Sequence, residues 1–230
     1  MKILINDVRK VFLLPRQIIV MVVSIRKKKI LVFDYDGTIV DSLGMHFGVF
    51  GSISGKYGMR RIKSKRDFAA MFSENFYDAI IKGGIRRSSL PKFMKESRRI
   101  LLKKNVRAFP GIRPMMKRLS SGSKIFVISS NLTDVIKRGL RSNNIACVEG
   151  VSGGDRNKSK VDKIRKIKKK FPSCSIFYIG DTTGDMKEGR KAGAITVAVT
   201  WGYHSKKSLE KEKPNFITRN VKELERILMK

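Results

Sequence analysis

Asp34 and Asp36 stand two residues apart at the end of the apolar run Ile30-Leu31-Val32-Phe33, and Gly37-Thr38 follow directly. In an extended segment residues i and i+2 face the same side, so the two carboxylates would share one pocket at a strand end. Like charges that close are unfavourable unless a cation or a shared proton relieves them. Paired carboxylate oxygens suit a hard cation such as Mg2+. Gly37 lets the backbone turn sharply, and Thr38 offers a hydroxyl and an amide to an anion. The plain alternative for a bare Asp-x-Asp-Gly is a solvated turn.

Other polar residues sit at the ends of similar runs. Lys124-Ile125-Phe126-Val127-Ile128 ends in Ser129-Ser130-Asn131, and Ser175-Ile176-Phe177-Tyr178-Ile179 ends in Gly180-Asp181. Further strands are expected at residues 145–148, 194–200 and 216–217. Helical patterns fill the gaps: Leu132, Val135, Ile136 and Leu140 share a face, and residues 158–171, 185–192 and 221–229 read the same way. Continuous apolar strands alternating with amphipathic helices predict an α/β fold with a doubly wound, parallel, Rossmann-like sheet. Ligands in such sheets bind beyond the carboxyl ends of the strands, which is where Asp34, Ser129 and Asp181 fall.

Residues 42–108 break the rhythm. They hold helix-compatible stretches at 45–50, 67–81 and 90–104, punctuated by glycines, and Phe109-Pro110-Gly111 restarts the strand–helix order with a helix at 112–119. The expected organisation is an amino-terminal extension (1–25), a core (26–41 and 109–230) and an inserted helical cap (42–108).

Composition bounds the partners. The chain has 230 residues and a formal charge of +32, with 51 Lys+Arg against 19 Asp+Glu. A hydrophobic content of 41% excludes a disordered tail. Cys147 and Cys174 are too few for a disulfide framework and lack a zinc-ligand spacing. The apolar run at 18–23 is far short of the roughly 20 residues a bilayer span needs, so a cytoplasmic location without stable membrane insertion is expected. A charge of this size attracts nucleic acid and phosphorylated substrates alike, and dispersed Lys and Arg can equally be a solvated surface.

The motifs taken together carry a resemblance. Val32-Phe33-Asp34-Tyr35-Asp36-Gly37-Thr38-Ile39-Val40-Asp41-Ser42 resembles the first motif of the haloacid dehalogenase superfamily. Ser129 resembles the second motif, Lys160 in Ser159-Lys160-Val161 the motif lysine, and Gly180-Asp181-Thr182-Thr183-Gly184-Asp185 the acidic motif. The cap length is similar to that of helical-cap members of the phosphoglycolate phosphatase type. The resemblance implies a phosphatase in which Asp34 attacks phosphorus and forms an aspartyl-phosphate, while Asp36 serves as acid and then base. It implies Ser129 and Lys160 on the phosphoryl group, with Thr38 and Asn131 helping to cradle it. Mg2+ would be held by Asp34, the Asp36 carbonyl and Asp181, with Asp185 bonding through water or to Lys160. The aspartate at position 36 is absent from dehalogenase members and replaced in the ion pumps, so it points to phosphate-ester cleavage or phosphosugar mutation.

Several alternatives stay open at this level. Lys158 or Lys163 could stand for Lys160, and Ser130 for Ser129. His46 either influences the protonation of Asp36 or lies on a helix surface, and His204 has no assigned role. The expected function is a Mg2+-dependent phosphomonoesterase for a small phosphorylated metabolite; a phosphosugar mutase and a nucleic-acid-associated phosphatase or binding protein are the rivals. Phosphoglycolate, sugar phosphates, nucleotides and pyrophosphate all fit the motifs, and no oligomeric state is implied. In this family the nucleophile usually lies nearer the start, so residues 1–20 read as a disposable or untranslated extension, with Met21 as the later start. The rival is a peripheral segment whose run at 18–23 packs on the core or on a membrane surface. Residues 42–108 carry +12. Their clusters Arg60-Arg61, Lys63, Lys65-Arg66 and Arg86-Arg87 would either line the cleft and hold a second anionic group or face solvent.

Overall fold

The computed structural model describes residues 12–14, 17–19, 28–59, 62–156 and 159–230. A short antiparallel pair, β1 (Phe12–Leu14) and β2 (Gln17–Ile19), comes first. The expectations for a later start at Met21 and for the packing of the 18–23 run lie outside the described residues.

β3 (Lys29–Phe33) consists of Ile, Leu, Val and Phe after its first residue, and those four side chains are at most 2% exposed. Such a run needs cover on both faces, which the helices supply. After β3 the chain forms α1 (Leu43–Ile53), α2 (Lys65–Ala70), α3 (Phe76–Lys82) and α4 (Leu90–Leu101). It then returns through α5 (Ile112–Leu119), β4 (Lys124–Ile128), α6 (Thr133–Ser142), β5 (Gly150–Ser152) and α7 (Lys160–Lys170). It finishes with β6 (Ser175–Gly180), α8 (Thr183–Lys191), β7 (Ile195–Val199), α9 (Lys206–Lys211), β8 (Phe216–Thr218) and α10 (Val221–Met229).

The six strands β5-β4-β3-β6-β7-β8 form one parallel sheet in that order. Strand side chains alternate between its two layers. Leu31, Phe33, Ile125, Val127 and Ile179 pack with α5, α6 and α10, whereas Ile30, Val32, Ile128, Ile176 and Tyr178 pack with α7 and Ala192. The strand order reverses at β3, the switch point where such sheets open a crevice. Register places Phe33 opposite Val127 on one side and Ile179 on the other, so the residues following β3, β4 and β6 converge there.

Helices α1–α4 build a separate apolar cluster from Phe50, Ile53, Phe68, Phe76, Tyr77, Ile80, Leu90 and Phe93. This helical layer sits on a paired stem. Asp41 N–H donates to the Arg107 carbonyl at 3.0 Å, Phe109 N–H to the Ile39 carbonyl at 3.0 Å, and Val40 bridges Ala108 antiparallel. No helix among the described residues is long and apolar enough to cross a membrane.

Two sequence expectations need correction. The strand expected at 145–148 lies at Gly150–Ser152 instead. Asn144 takes φ 53° and the Ile145 N–H closes on the Leu140 carbonyl at 2.9 Å, a left-handed stop to α6. The apolar character of Ile145 therefore serves a helix terminus packed on the core. The single helix expected over 67–81 is broken into α2, a 3-10 turn at Met71–Ser73, and α3. Asn75 enforces the break: its side chain accepts the Tyr77 N–H at 3.0 Å and caps α3.

Candidate active site

β3 continues its ladder one residue further, with Asp34 N–H donating to the Ile179 carbonyl at 2.8 Å. This seats Asp34, 4% exposed, at the sheet's carboxyl edge. The chain then folds tightly: the Ile39 and Val40 N–H groups both donate to the Tyr35 carbonyl. Gly37 is required twice over. Its φ is +77°, and a Cβ there would lie 2.1 Å from Asp181 Oδ2.

Three carboxylates meet at this edge. One oxygen from each of Asp34, Asp181 and Asp185 lies within 4.8 Å of the others, and all three residues are buried. Lys160, from the first turn of α7, places Nζ 3.1 Å from Asp34 Oδ1 and 2.7 Å from Asp185 Oδ1. Burial pushes Asp34 well above its ordinary range, the Lys160 charge opposing and the neighbouring carboxylates adding to it. Burial and the charge of Asp185 push Asp181 up to about 7. Burial would raise Asp185 too, but Lys160 and the hydrogen bonds from Thr182 and Tyr178 hold it low. Burial opposes the charge of Lys160, yet Asp185 and Asp34 keep its ammonium well above the ordinary range.

These facts test whether a divalent cation fits. Three buried carboxylates against one ammonium leave an excess of negative charge. Asp34 Oδ1 is buried and receives no hydrogen bond, since the Lys160 contact is an ion pair without hydrogen-bond alignment. An all-oxygen donor set of this kind suits Mg2+. Asp185 is the least free of the three: Tyr178 OH donates to it at 2.6 Å, Thr182 Oγ1 at 2.6 Å and Thr182 N–H at 3.1 Å. Thr182 and Asp185 form a capping box at the start of α8. Asp181 accepts from Thr38 Oγ1 at 2.7 Å and from the Tyr203 N–H at 2.7 Å. The Thr38 hydroxyl is therefore engaged by a carboxylate, so of the two groups expected to cradle an anion it is the amide that this contact leaves for that task.

Asp36 faces the other way, toward the helical layer. Its Oδ1 lies 2.9 Å from His46 Nε2, and its Oδ2 accepts from Asn131 Nδ2 at 3.0 Å. Ser129 Oγ is 3.4 Å from the same Oδ2 and also accepts the Asn131 N–H at 3.0 Å. Burial would raise Asp36, but the charge and hydrogen bond of His46, together with Ser42 and Asn131, hold it below its ordinary value. The alternatives now separate. Ser129 faces Asp36, while the Ser130 carbonyl accepts the Tyr77 hydroxyl at 3.0 Å. Lys160 enters the carboxylate cluster; Lys163, one turn on, donates to the Ser129 carbonyl at 2.7 Å, and burial brings it down to about 8. Lys158 lies outside the described residues. His46 is buried against Asp36 and does not lie on a helix surface.

The string Trp201-Gly202-Tyr203-His204, read from sequence as a loop beside the site entrance without an assigned role, makes several contacts there. Trp201 Nε1 donates to the Thr38 carbonyl at 3.2 Å, and the Tyr203 hydroxyl pairs with Ser42 Oγ at 3.0 Å. His204, left without a role, accepts the Thr183 N–H on Nδ1 at 3.0 Å and donates from Nε2 to the Ala69 carbonyl at 2.8 Å. It thus ties the start of α8 to the end of α2. Its position after β7, at the same sheet edge, was the available signal.

A cavity lies between Asp34, Asp36, Ser129, Asn131 and Lys160 on one side and the helical layer on the other. It leaves about 40 Å³ for the centres of water-sized molecules, room for about three waters. Among the described residues, none of the basic clusters of residues 42–108 lines it. Lys63, Lys65, Arg66, Arg86 and Arg87 are exposed and off the cavity, and Arg60-Arg61 lie outside the described residues. At the described positions the solvent-facing alternative holds: on short helices these long side chains reach water.

The comparisons agree with this geometry. A family model described as haloacid dehalogenase-like hydrolase matches residues 31–199. A phosphoglycolate phosphatase from Synechococcus elongatus is 25% identical over 200 residues, 84% of this chain and 94% of that protein. A phosphoglycolate phosphatase from Aquifex aeolicus is 26% identical over 197 residues, 76% of this chain and 86% of that protein. A solved haloacid dehalogenase-like family hydrolase from Streptococcus pneumoniae superposes with a TM-score of 0.70 at 20% identity, covering 86% of this chain and 96% of that one.

Proposed function

The chain belongs to the haloacid dehalogenase-like hydrolase family, and on that premise we propose that it is a Mg2+-dependent phosphomonoesterase acting on a small phosphorylated metabolite. The observation that carries this reading is the Lys160 ammonium set between Asp34 and Asp185 beside three clustered carboxylates. Phosphoryl transfer depends mainly on positioning and on charge neutralisation, which this arrangement is built to provide.

Asp34 is the nucleophile: its carboxylate oxygen bonds to phosphorus as the ester P–O bond breaks. Asp36 gives the departing oxygen its proton. His46 Nε2, 2.9 Å from Asp36 Oδ1, orients that carboxyl. Asp36 then takes a proton from water as the water oxygen attacks phosphorus, and the P–O bond to Asp34 breaks to release inorganic phosphate. Ser129 Oγ, the Asn131 side chain and Lys160 hold the transferring group in line. Asp34, the Asp36 carbonyl and Asp181 would hold Mg2+, with Asp185 steering Lys160; when bound, the ion offsets charge on the phosphoryl oxygens. Residues 42–108 act as the cap that closes the site from water.

The test is phosphate release from a panel of monoesters with and without Mg2+. Release should require the ion, and Asp34→Asn should abolish it because an amide is no nucleophile. Wild-type turnover by Asp34→Asn would refute the mechanism. Phosphoglycolate, the substrate named for the relatives, heads the panel.

A further inference from the structure

The two walls of the cavity differ in kind. The sheet-edge wall holds charged groups, each already engaged: Lys160 with Asp34 and Asp185, and His46 with Asp36. The opposite wall is Phe50, Phe72, Phe76, Met94, Leu101 and Leu132. Its rings brace one another, Phe72 stacking on Phe76 at 4.8 Å between centroids and Phe50 meeting Phe76 edge-on at 5.4 Å. Among the described residues lining the cavity, Lys160 is the one lysine or arginine.

One polar group interrupts the apolar wall. Ser97 lies on α4 between Met94 and Leu101, spacings of three and four that put all three on one helix face. It is 2% exposed, lines the cavity, and its Oγ has no hydrogen-bond partner. A buried helical serine ordinarily bonds back to a carbonyl of the preceding turn. Buried hydroxyls rarely go unsatisfied, so an unpartnered one at a ligand cavity marks a ligand contact.

We propose that the site selects phosphomonoesters whose leaving group is small and uncharged, apolar along its length, with a single hydroxyl placed opposite Ser97. The proposal rests on the phosphomonoesterase reading above. A carboxylate or second phosphate on the leaving group would be buried against phenyl rings with no free lysine or arginine among the described lining residues to pair it, which strongly disfavours it. A neutral chain loses little on entering such a wall and gains from its burial. Ser97 is then a specificity-determining residue, its hydroxyl satisfied when a substrate hydroxyl arrives.

The test uses three two-carbon monoesters of nearly equal size: ethyl phosphate, 2-hydroxyethyl phosphate and phosphoglycolate, assayed with Mg2+ on the full chain. kcat/KM for 2-hydroxyethyl phosphate should exceed that for phosphoglycolate at least tenfold, with the difference in KM. Ser97→Ala should lower kcat/KM for 2-hydroxyethyl phosphate about fivefold and leave ethyl phosphate within twofold. Met94→Lys, which puts an ammonium on the apolar wall at a half-buried position, should raise kcat/KM for phosphoglycolate about tenfold. Phosphoglycolate equal to or better than the neutral esters would overturn this assignment and leave the phosphatase reading standing. No Mg2+-dependent release from any of the three, nor from p-nitrophenyl phosphate, would overturn the phosphatase reading itself.

Discussion

The sheet edge and the helical layer face each other across one small cavity, and they are stabilised by opposite means. At the edge, two of the three clustered carboxylates are buried among specific donors: Asp185 has Lys160, Tyr178 and Thr182, and Asp181 has Thr38 and Tyr203. In the layer, Phe50 alone touches the rings of Phe68, Phe76 and Phe93 at 5.1 to 5.4 Å, and packing does nearly everything. The edge therefore tolerates few residue types and fixes the reaction. The layer tolerates many apolar combinations and can change what is admitted without touching the reacting groups.

The comparison breaks most sharply at Lys160. Lys160→Met leaves Asp34 and Asp185 buried without their ammonium, so turnover should fall about 10²- to 10³-fold. Metal-free stability should drop by about 3–5 kcal/mol. Steady-state kinetics and urea unfolding check both, and near-normal turnover would remove Lys160 from the mechanism. Phe93→Ala makes the contrasting cut, since Phe93 is fully buried in the layer and is not among the residues lining the cavity. It should cost about 3–5 kcal/mol. Amide exchange should quicken in α1–α4 while β3, β4 and β6 stay protected, because the main cluster of the layer is separate from those of the sheet, the two joined by the small cluster of Val49, Leu101, Leu132 and Val135. Uniform loss of protection would show one cooperative unit.

A smaller effect distinguishes the edge by pH. Asp181 titrates near 7 in the fold against 3.8 in a free chain, and Asp34 shifts the same way. The folded protein thus holds more protons than the unfolded chain between about pH 4 and 7, and its stability falls as pH rises through that window. Mg2+ takes the place of those protons and should flatten the trend. Thermal midpoints at pH 5 and 7.5, with and without the ion, measure it; a metal-free midpoint that climbs with pH would contradict the carboxylate assignment. The smallest effect is expected from Arg86→Glu with Arg87→Glu, at exposed positions off the cavity. Stability should change by less than about 0.5 kcal/mol and KM for phosphoglycolate not at all. A several-fold rise in KM would return the layer's charge to the substrate.

The same contrast explains what could be read from the chain. Asp34, Ser129 and Asp181 stand out in sequence because polar groups at the ends of apolar strands have few structural reasons to be there, and Asp36 by its spacing from Asp34; Lys160 and Asp185, on helices, were reached only through the family resemblance, and the fold brings both to Asp34 and Asp181. Partners were not legible. The Thr38 hydroxyl meets Asp181 across 143 residues, and His204 meets Ala69 across 135. Apolar residues gave no warning of their roles: Ile145 serves a helix stop, and Phe72 and Phe76 line a cavity while resembling ordinary core. Ser97 was invisible for a simpler reason, since a serine in a helix is noticed only when its hydroxyl lacks a partner.

The stem that ties Asp41 to Arg107 and Ile39 to Phe109 also bears on the order of folding. Pairing β3 with β4 joins segments about 90 residues apart, but a helical layer formed first, with its ends clasped, shortens the free chain between them to about 25. Loop-closure entropy scales with the logarithm of length, so the clasp lowers the cost of nucleating the central sheet by about 1 kcal/mol. The helical layer between the two arms of the stem is in this sense a kinetic splint for the sheet beneath it, and lengthening its helices would leave the closure cost of the core unchanged as long as the stem stays paired.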